Sequence, residues 1–195
     1  SYYARLATLM AGGGRGSYFI PEVGDEVIVA FEHDDMSRPV ILGVVWNSVD
    51  RPPEEMDADG KNNIRALHTR SGHKLVFNDS EDEPSILIVD KTGENRIFID
   101  SKANKMAIKV KGDLSIEVGG AIKITAGKNI TLESQADVEM KAQGKGTFES
   151  QGAMNLKSSA QLGLEGTAQT ELKGKTVAVS GDMTTTIKGG TVMIN

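Results

Sequence analysis

A repeat of eight residues governs the second half of the chain and limits the folds open to it. From Met106 onward, one apolar column recurs every eight residues and a second column follows it two residues later. Gly146 and Thr170 interrupt the first column, and the register slips by one residue before Val177 and again before Val192. The members that define the two columns are Leu114, Ile116, Ile122, Ile124, Ile130, Leu132, Val138, Met140, Phe148, Met154, Leu156, Leu162, Leu164 and Leu172.

Each eight-residue unit, here called an octad, is typical of a short strand and a corner. Apolar and polar residues alternate over most of the octad, and a corner rich in Gly, Ala, Ser and Lys follows. A helix is disfavoured because residues two apart lie on nearly opposite sides of it, and because glycine recurs too often. The sequence therefore predicts β-structure over residues 106–195.

The length of the octad predicts that several chains share one core. Solenoid repeats that close a coil within one chain have periods of about 20–50 residues, so a single octad is too short to encircle a core. Three chains together would supply about 24 residues, close to one full coil on the same scale. We therefore predict an intertwined homotrimer, a triangular β-helix or β-prism, with the two apolar columns as its core. With rungs about 4.8 Å apart, the prism would be about 55 Å long.

The first half of the chain lacks this period and indicates a small barrel followed by connecting strands. Alternating runs in "EVIVAF" and "VILGVVW" predict two barrel strands, whereas the glycine-rich "AGGGRGSYFIP" predicts a loop without regular structure. Further strands are predicted in "HKLVFND", "SILIVDKTGENRIFID" and "KMAIKVKG", with "KTGEN" as a hairpin turn between Ile88 and Ile97. The stretch "DRPPEEMDADGKNN" predicts a domain boundary. We assign residues 1–55 to the barrel, 56–105 to a linker with transition strands, and 106–195 to the octads.

Charge and composition argue against several classes of function. The net charge of -5 at pH 7 disfavours binding to nucleic acid or to anionic lipid, since both partners are negatively charged. No apolar run approaches the roughly 20 residues needed to span a bilayer. The chain contains no cysteine, so disulfides and thiolate metal sites do not contribute to its stability. The sequence starts with a serine and without a signal-peptide pattern, and we expect it to be a piece of a longer chain.

No residue pattern predicts a catalytic, cofactor or metal site. His68 and His73 flank "TRSG", and acidic runs occupy positions 54–55 and 81–83, but no nucleophile motif or third metal ligand accompanies them. The run "AGGGRG" lacks the Lys-Ser/Thr ending of a phosphate-binding loop. We predict surface or packing roles for these residues, no cofactor, and no enzymatic activity.

The order of the motifs resembles the spike proteins of contractile injection machines. These are the central spikes of myophage baseplates, the valine-glycine repeat (VgrG) proteins of type VI secretion, and the spikes of extracellular phage-tail-like particles. The resemblance lies in "IPEVGDEVIVAF" and "RPVILGVVWN", which are similar to the family's OB-fold, and in the "TRSGHKLVFND" and octads that follow. Its fold class would be all-β, a small OB-fold barrel followed by the trimeric β-helix. The OB-fold motif residues are Pro21, Gly24, Asp25, Pro39 and Gly43.

The resemblance implies a homotrimeric, membrane-piercing spike that a contracting sheath drives into a target cell. It implies tube or hub proteins on the N-terminal side, a PAAR-repeat tip protein at the C-terminal end, and transient contact with the target membrane. It also implies assembly in the cytoplasm as part of a tail-like particle, followed by delivery to the target cell envelope. The residues expected to contact the tip protein are Thr191, Val192, Met193, Ile194 and Asn195.

The sequence departs from the family pattern in two places. The upstream hub domains and the first strand of the OB-fold are expected to be missing from this stretch. Some phage spikes hold a metal at the apex through a His-x-His motif, but His33, His68 and His73 lie far from the C-terminal end. We therefore predict no apical metal.

A trimeric tail fibre or adhesin that binds a cell surface is the alternative, because such fibres also use interwoven β-prisms. A fibre is expected to end in a globular receptor-binding head, whereas here Val192 and Ile194 still occupy the two apolar columns. The spike is therefore the preferred interpretation.

Overall fold

Among the residues that the structure describes, regular structure is confined to residues 5–109. The computed structural model describes residues 3–194, and within them it contains ten strands and one short 3-10 turn, at Glu32–Asp34. The predicted all-β class is confirmed. The chain divides into two compact units, with the boundary between Ile124 and Thr125.

The first sheet has three strands in the order β1-β5-β4 and contains the two predicted barrel strands. Strand β1 (Arg5–Leu6) runs parallel to β5 (Pro39–Val44), and β4 (Val27–Phe31) runs antiparallel to β5. Ile28 pairs with Gly43 whereas Val29 pairs with Ile41, so Leu42 is left over as a bulge. A bulge of this kind interrupts the alternation of faces. The period-2 pattern predicted for "EVIVAF" in β4 is not observed either, since Ala30 is partly buried while Val29 is 39% exposed.

The OB-fold motif residues lie where β4 begins and along β5. Asp25 closes a tight turn with Glu22: its carboxylate accepts the Glu22 N–H at 2.8 Å, and its own N–H donates to the Glu22 carbonyl at 3.1 Å. Gly24 has φ of 110° within this turn, a conformation that favours glycine. Pro21 immediately precedes the turn, Pro39 starts β5, and Gly43 adjoins the bulge. The motif therefore shapes the entry to β4 and the course of β5.

The glycine-rich segment forms a hairpin, so the prediction of a loop without regular structure was wrong. Strand β2 (Ala11–Gly12) pairs with β3 (Arg15–Gly16) in antiparallel fashion. Gly14 has φ of 66°, which allows the two-residue turn between them. The many glycines favoured the prediction of a loop, whereas the hairpin depends on the left-handed conformation of Gly14.

The second sheet is a five-stranded antiparallel meander in the order β10-β9-β8-β7-β6. Its strands are β6 (Ile64–His68), β7 (Lys74–Asn78), β8 (Ser85–Val89), β9 (Arg96–Asp100) and β10 (Lys105–Lys109). The predicted strands β7 to β10 are confirmed. Strand β6 was not predicted, because "IRALH" has one β-branched residue and lies directly after the turn-rich boundary segment.

The turn between β8 and β9 is built around the carboxylate of Asp90, as a hairpin at the predicted place. Ile88 and Ile97 pair across it, and Gly93 adopts φ of 75° at its tip. The Asp90 carboxylate accepts hydrogen bonds from the Asn95 side chain at 2.9 Å and from the Thr92 hydroxyl at 2.8 Å. These bonds, the one from Asn95 foremost, lower the pKa of Asp90 from 3.8 to about 2.

We predict that this hairpin loses stability in acid as Asp90 becomes protonated. Because the folded pKa lies below the ordinary value, the charged carboxylate stabilises the turn fully above about pH 4, and that stabilisation is lost as the pH falls through about 2. The carboxyl titration of Asp90, followed by NMR, is expected to have its midpoint near 2. In Asn95→Ala the midpoint should rise towards 3.8. A midpoint near 3.8 in the unmodified chain would contradict the prediction.

The β-structure predicted for residues 106–195 is present in the single chain only in β10, because residues 110–194 contain no strand. These residues form segments without regular structure, joined by regularly spaced bends. Within this described stretch, no backbone hydrogen bond joins one segment to the next. The bends recur at the interval of the apolar columns, at 111–112, 119–120, 127–128, 135–136, 143–144, 151–152, 159–160, 167–168 and 175–176. The next bends are at 182–183 and 190–191, so one interval is a residue shorter. The apolar columns slip by one residue twice, before Val177 and before Val192, whereas the spacing of the bends shortens only once.

A glycine directly precedes each of the last four bends, and a side chain there would be crowded by the backbone that follows. A Cβ built on these glycines would approach the carbonyl oxygen of a residue two or three positions later. The distances are 2.5 Å for Gly166 to Gln169 O, 3.0 Å for Gly174 to Thr176 O, 2.7 Å for Gly181 to Thr184 O and 3.2 Å for Gly189 to Thr191 O. By contrast, Gly127 and Gly144, inside two earlier bends, would have open space at that point. The position directly before each of the last four bends is therefore more crowded than the positions of Gly127 and Gly144 inside the earlier ones.

Candidate subunit interface

The two apolar columns are exposed to solvent in the single chain. Among the fourteen residues that define them, the exposed fraction ranges from 51% at Met154 to 78% at Leu132. No hydrophobic residue within residues 3–194 is fully buried. A continuous series of exposed large apolar side chains marks an interaction surface rather than a finished exterior. The assignment of these residues to a trimer core remains a prediction.

The predicted tip-protein surface is also apolar and open. Met193 is 86% exposed and Ile194 is 88% exposed, while Val192 is 49% exposed. Thr191 lies in the last bend, and Asn195 lies outside the described residues. The backbone of 192–194 has no strand partner within the described part of the chain. This arrangement leaves both side chains and backbone groups available to another chain.

One face of the five-stranded sheet carries a straight row of aliphatic side chains, one from each strand. Residues that pair directly across antiparallel strands point to the same face, and these five pair in succession from β6 to β10. We call them the apolar row: Leu67, Leu75, Ile88, Ile97 and Ile108. They line an open groove of about 610 Å³ together with Phe19, Val110 and Leu114. Leu67 and Ile108 are 53% and 58% exposed, so this face is uncovered.

The apolar row leads directly into the octads through β10. Ile108 belongs both to the row and to the second apolar column, and Met106, two residues earlier, starts the first column on the same face. Leu114, the next member of the first column, lines the groove beside Ile108. The uncovered face of the sheet and the start of the octad columns therefore form one apolar surface.

The opposite face of the sheet is partly covered by the chain itself. Trp46, Pro52 and Met56 enclose a cavity of about 280 Å³ against Ile64 and Ala66 of β6. Coverage of one face and exposure of the other distinguish the apolar row as the side available to another chain.

The two neighbouring histidines have separate, local contacts. Nε2 of His68 lies 3.2 Å from a carboxylate oxygen of Glu54, a distance that suits an ion pair when the imidazole is protonated. The same atom is buried and makes no hydrogen bond within the described residues. Nδ1 of His73 accepts the Lys91 N–H at 3.2 Å. Within residues 3–194, no three His, Asp or Glu side chains are grouped as a metal site would require.

Charged side chains occupy the positions between and beside the apolar columns. Lys141 lies 2.6 Å from Glu139, and Lys173 lies 2.8 Å from Glu171, each pair within one octad.

In the described residues, no helix has the length and hydropathy to cross a membrane.

The apolar row could not be predicted from the sequence at the level of residues. Its members are 8, 13, 9 and 11 positions apart, so no fixed period connects them. The row emerges only when the register of all four strand pairs is known.

Comparison with known proteins finds the similarity to spike proteins that the sequence motifs predict. Residues 1–46 match the family described as the type VI secretion system/phage-baseplate injector OB domain. The chain is 32% identical over 114 residues to type VI secretion system spike protein VgrG1b of Pseudomonas aeruginosa. It is 33% identical over 116 residues to VgrG1c of the same organism, and 31% identical over 91 residues to spike protein VgrG3 of Vibrio cholerae.

These alignments cover more than the OB domain but only a small part of the relatives. They span 58%, 59% and 45% of this chain, and 14%, 15% and 9% of VgrG1b, VgrG1c and VgrG3 respectively. The matched stretches of 114 and 116 residues are longer than the OB domain match at 1–46. The resemblance predicted from the motifs is therefore confirmed: the chain is VgrG-like, similar to the spike proteins of type VI secretion systems and phage baseplates.

Proposed function

We propose that this chain is one of three identical subunits of the central spike of a contractile injection machine, and that the assembled spike punctures a target membrane. The observation that carries the proposal is the exposure of both apolar columns on segments without backbone partners. The similarity to VgrG spike proteins supports a structural role of this type. The role is mechanical rather than catalytic.

Three chains are proposed because the octads need partners for both side chains and backbone. Each segment between bends has about six residues, enough for one side of a triangular coil but not for a closed one. In a prism of three chains, each segment gains a strand partner above and below it, and the columns turn inward. Burying each aliphatic side chain would stabilise the trimer by about 1.5–3 kcal/mol.

The prism would resist the load of puncture because its strands cross the long axis. Three wound chains share every rung, so no rung is released without unwinding its neighbours, and unfolding is expected to be slow. The mixed charges on the outside would keep the rod soluble and oppose lateral association. These properties suit a rod that is pushed through a membrane once.

The remaining partners are proposed from the same family resemblance. Tube or hub proteins would hold the spike on its N-terminal side, and a PAAR-repeat tip protein would cover the exposed Val192, Met193 and Ile194. Contact with the membrane would be transient. The particle would assemble in the cytoplasm and act at the envelope of the target cell.

The solution mass tests the trimer. Multi-angle light scattering of the purified chain is expected to give three times its mass of 20.8 kDa, and the same species should survive mild heating in detergent. A folded monomer would contradict the prism and, with it, the puncture mechanism.

A further inference from the structure

One position of the octad carries charges of strictly alternating sign. It is the residue that directly follows each member of the second apolar column, from Leu132 to Leu172. We call these six residues the charge column: Glu133, Lys141, Glu149, Lys157, Glu165 and Lys173. All six are exposed in the single chain. Thr125, at the preceding equivalent position, is uncharged.

Within one chain, the alternating charges do not pair with one another from octad to octad. Successive members are separated by eight residues and a bend, and no ion pair among the described residues joins two of them. Two of the lysines, Lys141 and Lys173, instead contact a glutamate of their own octad. The alternation therefore points to contacts made between chains.

We propose that the charge column forms an interchain ladder of ion pairs that sets the register in which three copies wind together. The proposal rests on the trimeric prism proposed above. No backbone hydrogen bond joins successive octads of one chain within residues 110–194, so each corner carries the chain to a new side of the prism. The strand that stacks on a given octad then comes from another copy, one octad further along its sequence.

This winding places opposite charges side by side. Equivalent positions of stacked strands lie about 4.8 Å apart. Glu133 therefore lies next to Lys141 of the partner subunit, and the pattern continues upward with Glu149 and Lys157. Directly adjacent opposite charges stabilise strand pairing, and like charges oppose it.

The ladder distinguishes the correct register from one displaced by an octad, which the apolar columns do not. Leu, Ile and Met occur in both columns, so a chain displaced by one octad would still fill the core with similar side chains. The same displacement would bring Glu next to Glu and Lys next to Lys throughout the charge column. The ladder thus acts against the one-octad slip that a regular repeat invites.

Engineered disulfides test the register directly, since the chain has no cysteine of its own. Glu133→Cys with Lys141→Cys places thiols on adjacent strands of two copies, at a spacing that suits a disulfide. Oxidation is expected to yield covalent trimers on denaturing gels. The matched control, Glu133→Cys with Glu149→Cys, puts the thiols two rungs apart and should remain monomeric on the gel. Equal cross-linking of both pairs, or none with the first pair, would overturn the proposed register.

Charge reversal tests whether the ladder contributes energy. The acidic variant Lys141→Glu/Lys157→Glu/Lys173→Glu makes every neighbour in the column repulsive. At low salt its unfolding temperature is expected to fall by about 5 °C or more, and the loss should shrink near 1 M salt because of screening. The control reverses all six charges, which restores the alternation and keeps the net charge of -5. It should unfold close to the unmodified chain, although it also breaks the contacts of Lys141 and Lys173 within their octads.

The outcomes separate the ladder from the trimer. If the unmodified chain is a trimer and the acidic variant unfolds at the same temperature, the ladder is wrong and the prism stands. If the six-fold reversal is as damaging as the acidic variant, alternation is not what matters and the ladder is again wrong. If the unmodified chain is a folded monomer, the prism and the ladder both fail.

Discussion

Leu132→Asp is expected to abolish trimer formation, whereas Thr131→Asp, one residue earlier, is expected to leave the trimer intact. In the proposed prism the three copies of Leu132 meet in the apolar interior, so the substitution would bury three carboxylates close together. Burial of unpaired charges costs far more than one rung contributes. Thr131 lies between the two columns and would face solvent, so the same charge added there should be tolerated. Light scattering of both variants measures the difference.

The comparison holds charge constant and changes only the side of the strand. Leu132 has the highest exposure of the column residues in the single chain, at 78%, so a reading in which it stays on the surface would predict no effect. Trimers of equal stability from both variants would contradict the inward orientation of the columns. Monomers from both would show that any additional acid in this octad disrupts assembly.

Gly166→Ala is expected to destabilise the protein, whereas Gly144→Ala is expected to be neutral or slightly stabilising. The new Cβ at position 166 would lie 2.5 Å from the Gln169 carbonyl oxygen and 2.7 Å from the Thr170 hydroxyl. A backbone carbonyl cannot turn away without reshaping the corner, and strain of this kind typically costs about 1–3 kcal/mol. At Gly144 the Cβ would meet nothing within 4 Å, and alanine reduces the freedom of the unfolded chain. Thermal unfolding of the two variants provides the measurement.

The two variants have the same chemical change in corners of the same repeat. A lower unfolding temperature for Gly166→Ala alone would establish that the position directly before this bend is sterically constrained. Equal shifts in the two variants would contradict that constraint. The alternative that any corner glycine tolerates alanine predicts no loss at either position.

Much of the sheet structure could be predicted because its signals are local. Alternating runs predicted β4, β5 and the strands β7 to β10, and the turn residues around Gly93 predicted the hairpin at the right place. Features that depend on the partner strand were missed. The bulge at Leu42 arises from the register between β4 and β5, and neither strand's own sequence reveals it.

The candidate interface likewise has one part that the sequence predicts and one part that it does not. The apolar columns could be predicted because their members recur at a fixed interval, from Leu114 to Leu172. The apolar row could not, because Leu67 and Ile108 become neighbours of one surface only through three intervening strands. Sequence periodicity detects surfaces formed by repeats, whereas a meander joins residues at irregular spacing.

The position of β10 as the last strand with a partner in its own chain has a consequence for the order of folding. The meander β6 to β10 consists of hairpins between consecutive strands, contacts of low sequence separation that form quickly and at any protein concentration. Residues 110–194 have no such partners within the described chain, and in the proposed prism their ordering would require the encounter of three copies. Nucleation would therefore occur beside β10, and the rungs would close one after another towards the C-terminal end. Refolding is expected to accelerate with protein concentration, and the C-terminal rungs, formed last, would exchange their amide protons first.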